Sequence, residues 1–160
     1  MRLADVRPLR LVGLVATICV LAGCSSEKPM PDFVEHLVPT QGKITMKGKP
    51  LEGAVVAFHP ADSTSDAIPA FGGTDATGAY ELKTMAVGHG PQPGVVVGNY
   101  IVTISKIAMK DGSPIPADMT TADAEAEGAR QVVPARYTDP ERSPLKAQVV
   151  TGGTSHDFGL

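Results

Sequence analysis

From Val38 onward the apolar residues come in short runs separated by turn residues, a pattern that disfavours helical folds and points to short strands. In Gln41-Gly42-Lys43-Ile44-Thr45-Met46, Ile44 and Met46 fall on one face and Lys43 and Thr45 on the other, because successive strand side chains point to opposite sides. Lys47-Gly48-Lys49-Pro50 reads as a turn in which Gly48 takes positive φ. Ala54-Val55-Val56-Ala57-Phe58-His59-Pro60 is the next strand, ended by its proline.

After a polar loop from Ala61 to Pro69, Phe71–Thr74 and Tyr80–Thr84 form hairpin arms around Asp75-Ala76-Thr77-Gly78. Asp at the turn entrance can accept backbone N–H bonds, and Gly supplies left-handed geometry. Gly98 to Lys106 is expected to be a central strand, with Tyr100, Val102 and Ile104 on one face. A long loop, residues 108–131, includes Ala122–Glu127, where local helix propensity is strongest. Lys146–Thr151 and His156–Leu160 close the chain around Gly152-Gly153-Thr154-Ser155. The sum is an all-β domain over residues 38–160, a two-sheet sandwich of about seven antiparallel strands.

The front of the chain is different. Arg2, Arg7 and Arg10 precede an apolar stretch from Leu11 to Gly23, which is 13 residues long. A membrane-spanning helix needs roughly 20. The stretch ends in Leu21-Ala22-Gly23-Cys24, which resembles the lipobox of bacterial lipoproteins. That resemblance implies a signal helix, residues 1–23, cleaved between Gly23 and Cys24, with a diacylglyceryl thioether on Cys24. It also implies no dissociable cofactor, only covalent lipid. Removing residues 1–23 takes Cys19 with it and leaves Cys24 without a disulfide partner. Residues 24–37 (Ser25 to Leu37 are SSEKPMPDFVEHL) read as a flexible tether which, fully extended, reaches roughly 45 Å.

The whole chain has 14 basic and 17 acidic residues; less the three Arg and one Asp of the signal, 11 and 16 remain, a net charge of −5. Nucleic acid, which is bound through clustered Lys and Arg, is an improbable partner. Trp is absent and aromatics make up 4% of residues, which argues against stacking platforms for sugars or bases.

The strand segments are also recognisable together. Gln41-Gly42-Lys43-Ile44-Thr45 with Gly48-Lys49-Pro50-Leu51-Glu52-Gly53-Ala54-Val55-Val56-Ala57-Phe58 resembles the opening of a carboxypeptidase regulatory-like domain. Thr74-Asp75-Ala76-Thr77-Gly78-Ala79-Tyr80 and Gly98-Asn99-Tyr100-Ile101-Val102 resemble its second and third signatures, and the likeness covers about Thr40 to Leu160. It extends to short bacterial lipoproteins that end, as here, in Val133-Pro134-Ala135-Arg136-Tyr137, Ser143-Pro144-Leu145 and Phe158-Gly159-Leu160. The resemblance implies an Ig-like, transthyretin-like seven-stranded sandwich, which in metallocarboxypeptidases is a non-catalytic appendage beside the peptidase domain, so it implies no peptidase activity here.

No catalytic constellation is expected. His36, His59, His89 and His156 lack the spacing of a zinc site, although folding could bring His59, His89 and His156 together. Asp62, Ser63, Ser65 and Asp66 cluster without an EF-hand pattern. Ser143 and Lys146 have Ser-x-x-Lys spacing but lie at the start of a strand, and Glu125 and Glu127 fall in the long loop. Gly72-Gly73 and Gly152-Gly153 read as turns, since no helix follows to make a phosphate site. The expected role is a non-catalytic cell-envelope module outside the cytoplasm, anchored through Cys24 to a bacterial membrane, the outer one favoured because Ser25 rather than Asp follows the cysteine. Its partners would be membrane lipid and an envelope protein or matrix component, contacted through Ala108–Tyr137. The alternative is a carrier of a small ligand or metal.

Overall fold

The computed structural model describes residues 29–62 and 66–160; Gly23 and Cys24 lie outside the described residues. Its main elements are β1 (Thr40–Met46), β2 (Val55–Pro60), β3 (Ala70–Gly73), β4 (Ala79–Glu81), β5 (Lys83–Ala86), β6 (Gly90–Pro93), β7 (Gly98–Ser105), α1 (Thr121–Ala126), β8 (Lys146–Val149), β9 (Thr154–Ser155) and β10 (Phe158–Gly159). The fold is all-β. One sheet has six antiparallel strands in the order β8-β7-β2-β3-β5-β6. The other is built on β1, which takes β4 antiparallel and β9 and β10 parallel.

The alternation read from the sequence for β1 and β7 explains part of the core. Ile44 from β1, Phe58 from β2, Leu82 between β4 and β5, and Tyr100, Val102 and Ile104 from β7 are fully or almost fully buried in one cluster shared by both sheets. β7 is central, hydrogen-bonded to β2 on one side and β8 on the other. The β1 turn is a two-residue hairpin with positive φ at both Lys47 (52°) and Gly48 (77°), pairing Met46 with Lys49.

The Asp75 turn forms as expected. One Asp75 carboxylate oxygen accepts from Thr77 N (2.7 Å), Thr77 Oγ1 (2.7 Å) and Ala79 N (3.0 Å), and Gly78 has φ 74°. Those bonds, the Thr77 hydroxyl foremost, hold the Asp75 pKa below its ordinary value. The second arm, however, serves two sheets. Gln41, Gly42 and Lys43 pair with Glu81, Tyr80 and Ala79, whereas Ala70 and Phe71 pair with Thr84 and Lys83, so the chain changes sheet at Leu82. Leu82 N donates to Thr40 O, and its own carbonyl accepts from Gly94 N.

Four expectations are corrected. Gly72 and Gly73 are not a turn but lie within β3; a Cβ on Gly72 would sit 2.2 Å from the Glu81 carbonyl oxygen, so the missing side chain is what lets the chain cross there. Of the two closing strands, Lys146–Val149 pairs antiparallel with β7 as expected, but the last does not: after the turn at Gly152 and Gly153 (φ 94° and 90°) the chain leaves the six-stranded sheet and runs parallel to β1, pairing Thr154 with Thr40 and Phe158 with Ile44. The stretch expected to be a tether is ordered from Asp32, where Asp32–His36 form a 3-10 helix and Leu37–Val38 pair with Val95–Val96. Half-buried Val38 packs on the core, which draws this segment down onto the domain. Finally, the long loop carries structure: α1 is capped by Thr120 and buries Ala124, and Ile107–Ala108 pair with Arg130–Gln131.

Candidate functional site

The histidines do not converge on a metal centre: among the described residues no group of three or more His, Cys, Asp or Glu side chains is arranged to hold one. His36 ends the 3-10 helix. His59 sits near the end of β2, its Nε2 2.9 Å from Thr103 Oγ1 of the neighbouring β7. His89 is in the turn between β5 and β6, where Nε2 donates to the Pro29 carbonyl at 3.3 Å. His156 lies between β9 and β10, its ring stacked on Phe158 (centroids 6.4 Å apart, planes at 16°) and 6.0 Å from Phe58.

His156 is therefore part of the join between the sheets. Its Nε2 is buried without a hydrogen bond of normal geometry. Desolvation lowers the imidazole pKa from 6.5, against the opposing pull of the Gln148 carbonyl and the Asp157 charge. The unfolded chain thus takes up this proton first, so stability present above about pH 6.5 is lost as pH falls below it and down through the folded-state pKa. We expect His156→Phe to show a flatter melting temperature between pH 7 and pH 5 than the wild type; parallel curves would assign that pH dependence to other groups.

The remaining candidates resolve into structure. The Ser143 hydroxyl donates to the Val102 carbonyl and accepts from Leu145 N at 3.2 Å, clipping the start of β8 to β7. Lys146 and the carboxylates Glu125 and Glu127 are exposed. Asp62 and Asp66 flank residues 63–65, so the Asp62-Ser63-Ser65-Asp66 cluster lies partly outside the described residues. Tyr80 OH donates to the His156 carbonyl (2.8 Å) and Tyr100 OH to the Val96 carbonyl (2.7 Å). Burial drives the Tyr80 pKa far above its ordinary value and pushes that of Tyr100 up to about 12.

A concavity that sequence patterning missed is an open groove of about 840 Å³ where the chain crosses between sheets. Gln41, Gly42 and Lys43 of β1, Phe71 to Gly73 of β3, Ala79 to Glu81 of β4, and Lys83, Asp75 and Asp157 line it. The cue was present only as Gly42 and the Gly72-Gly73 pair, which line it. The acids Asp75, Glu81 and Asp157 are exposed and share the groove with Lys43 and Lys83. Such a surface can hold a polar ligand by charge; its buried phenol, Tyr80, already donates to the His156 carbonyl.

Comparisons with known proteins add little to this geometry. No protein-family model matches the chain, and no curated protein matches it. Among solved structures a 9R-lipoxygenase from Cyanothece PCC8801 is similar with a TM-score of 0.32 and 16% identity, over 83% of this chain and 17% of that one. The chain thus spans less than a fifth of that protein's length, and a likeness this distant carries no argument about fold or activity.

Proposed function

We propose that this chain is a bacterial lipoprotein whose residues 1–23 are a signal, whose Cys24 bears the lipid, and whose all-β domain is a non-catalytic binding or structural module of the cell envelope. The single observation carrying this reading is Leu21-Ala22-Gly23-Cys24 directly behind a charged segment and a 13-residue apolar stretch. Two acyl chains are enough for stable attachment where one gives only marginal binding. With the lipid goes an extracytoplasmic address, at the outer membrane where two membranes exist.

The finer fold belongs to the same proposal: a carboxypeptidase regulatory-like, transthyretin-like sandwich with seven principal strands. Its support is the order and spacing of the three signatures, which fall on β1 to β2, on the Asp75 turn and on β7.

Fractionation of a tagged full-length protein tests the anchor. Wild type is expected in the membrane fraction, resistant to high salt, and Cys24→Ala in the soluble or secreted fraction, or held as uncleaved precursor. Cys24→Ala that is cleaved and fractionates with membranes like the wild type would overturn the reading.

A further inference from the structure

We infer that the turn between β5 and β6, centred on Val87, rests on the lipid bilayer as a membrane-docking tip. The inference rests on the lipid-anchor reading above and adds the orientation of the domain. Val87 is 84% exposed, far more than any other large hydrophobic residue among the described ones, and Met85 (48%) precedes it on β5. Met30, 47% exposed, joins them from the N-terminal side, because the His89 ring in this turn bonds the Pro29 carbonyl. The first described residues therefore lie at the same pole that carries the exposed apolar tip.

Chain length then limits where that pole can be. The five residue steps from Cys24 to Pro29 span at most about 18 Å in any conformation. With the lipid's glycerol at the base of a headgroup layer about 5–8 Å thick, Pro29 stays within roughly 10–13 Å of the membrane's outer limit. The C-terminal part of the tether that could have held the domain some 45 Å away, Asp32–Leu37, is folded onto it as the 3-10 helix and the start of the Leu37–Val38 strand.

The chemistry of the tip fits lipid better than protein. Between Lys83 and Lys106 the chain has no Asp, Glu, Lys or Arg, so a zwitterionic surface costs no charge desolvation. The edge strand β6 carries Pro91 and Pro93, which cannot donate backbone hydrogen bonds, and it is thereby blunted against the addition of another strand. An apolar side chain held this way seats about 5–10 Å into the headgroup and acyl boundary.

The chain has no Trp, so single substitutions report position directly. Full-length lipidated protein carrying Val87→Trp is reconstituted into phosphatidylcholine vesicles containing bromines shallow on the acyl chains. Val55→Trp is the reference: Val55 is also exposed (52%) but pairs with Gly73, about 20 Å along the strand direction from the tip. The tip tryptophan is expected to be blue-shifted and about twofold or more better quenched than the reference, consistent with shallow insertion. Equal quenching of the two in protein whose acyl mass is verified would overturn the docking and leave the lipid anchor standing. Absence of the acyl mass would overturn both. A blue shift without bromine quenching, together with a crosslinked dimer, would mean that a second copy covers the tip and would also overturn the proposal.

Discussion

Replacing Phe58 by Ala is expected to lower the unfolding free energy by about 3–5 kcal/mol, because a large, fully buried ring leaves a cavity that its neighbours fill only in part. For a domain of this size that corresponds to a fall of roughly 10–20 °C in melting temperature. The position magnifies the loss. Phe58 stands on the central strand β2 and touches rings from three directions: Tyr100 of β7 at 5.7 Å, His156 at 6.0 Å and Phe158 of β10 at 6.5 Å. It is the side chain through which the six-stranded sheet holds the closing segment. Thermal unfolding of the folded domain followed by circular dichroism measures the effect; a loss below about 1 kcal/mol would show that the two sheets are joined elsewhere.

Gly42→Ala is the second large effect, and it arises from space rather than from burial. A Cβ on Gly42 would lie 1.9 Å from the His156 carbonyl oxygen, a backbone atom that no rotamer change can move. Overpacking of this kind costs about 1–3 kcal/mol or more, and each hydrogen bond lost with it adds about 1 kcal/mol. Two such bonds are at stake, Tyr80 OH to the His156 carbonyl and His156 N to the Gln41 carbonyl. We expect a total near 3–5 kcal/mol and early proteolytic cleavage within residues 150–160, as β9 and β10 lift away. Gly73→Ala is the matched control: it too lies in a strand, without positive φ, and its added Cβ would meet nothing closer than 3.9 Å. That variant should stay within about 0.5 kcal/mol of wild type. Equal losses from both substitutions would point to backbone flexibility instead of the His156 contact.

These two residues also show how far local pattern carries. The period-2 alternation around Ile44 and Val102 named the core faces of β1 and β7, the apolar run around Phe58 named β2 as a strand, and Asp75 with Gly78 named the turn, because these signals come from residues a few positions apart. What escaped was long-range. Nothing near Leu82 announces that the chain changes sheet there; the requirement is expressed at Gly72, ten residues earlier, as a missing side chain. The parallel course of β9 and β10 depends on a corner at Gly152 and Gly153 whose direction no alternation encodes. The 3-10 helix at Asp32–His36 was hidden by a polar, proline-containing composition, and it is ordered because Leu37 and Val38 find Val96 and Val95 nearly sixty residues away.

The candidate site divides in the same way. The lipobox-like pattern at Cys24 is visible because it is local, whereas the groove beside Gly42 and the apolar pole at Val87 exist only once distant segments are brought together. The folded tether changes the picture of the anchor most. On the proposed anchoring, it would turn a domain on a long leash into one held close to the lipid, with one defined end toward the membrane.

The proposed anchor depends above all on the chemistry at Cys24, and the mass of the N-terminal peptide from membrane-extracted protein tests it most directly. The predicted result is a peptide beginning at Cys24 and heavier than its sequence by a diacylglyceryl group, with or without a further acyl chain. A peptide with an unmodified Cys24, whether cleaved before it or still joined to residues 1–23, would contradict the anchor and the membrane-facing orientation built on it.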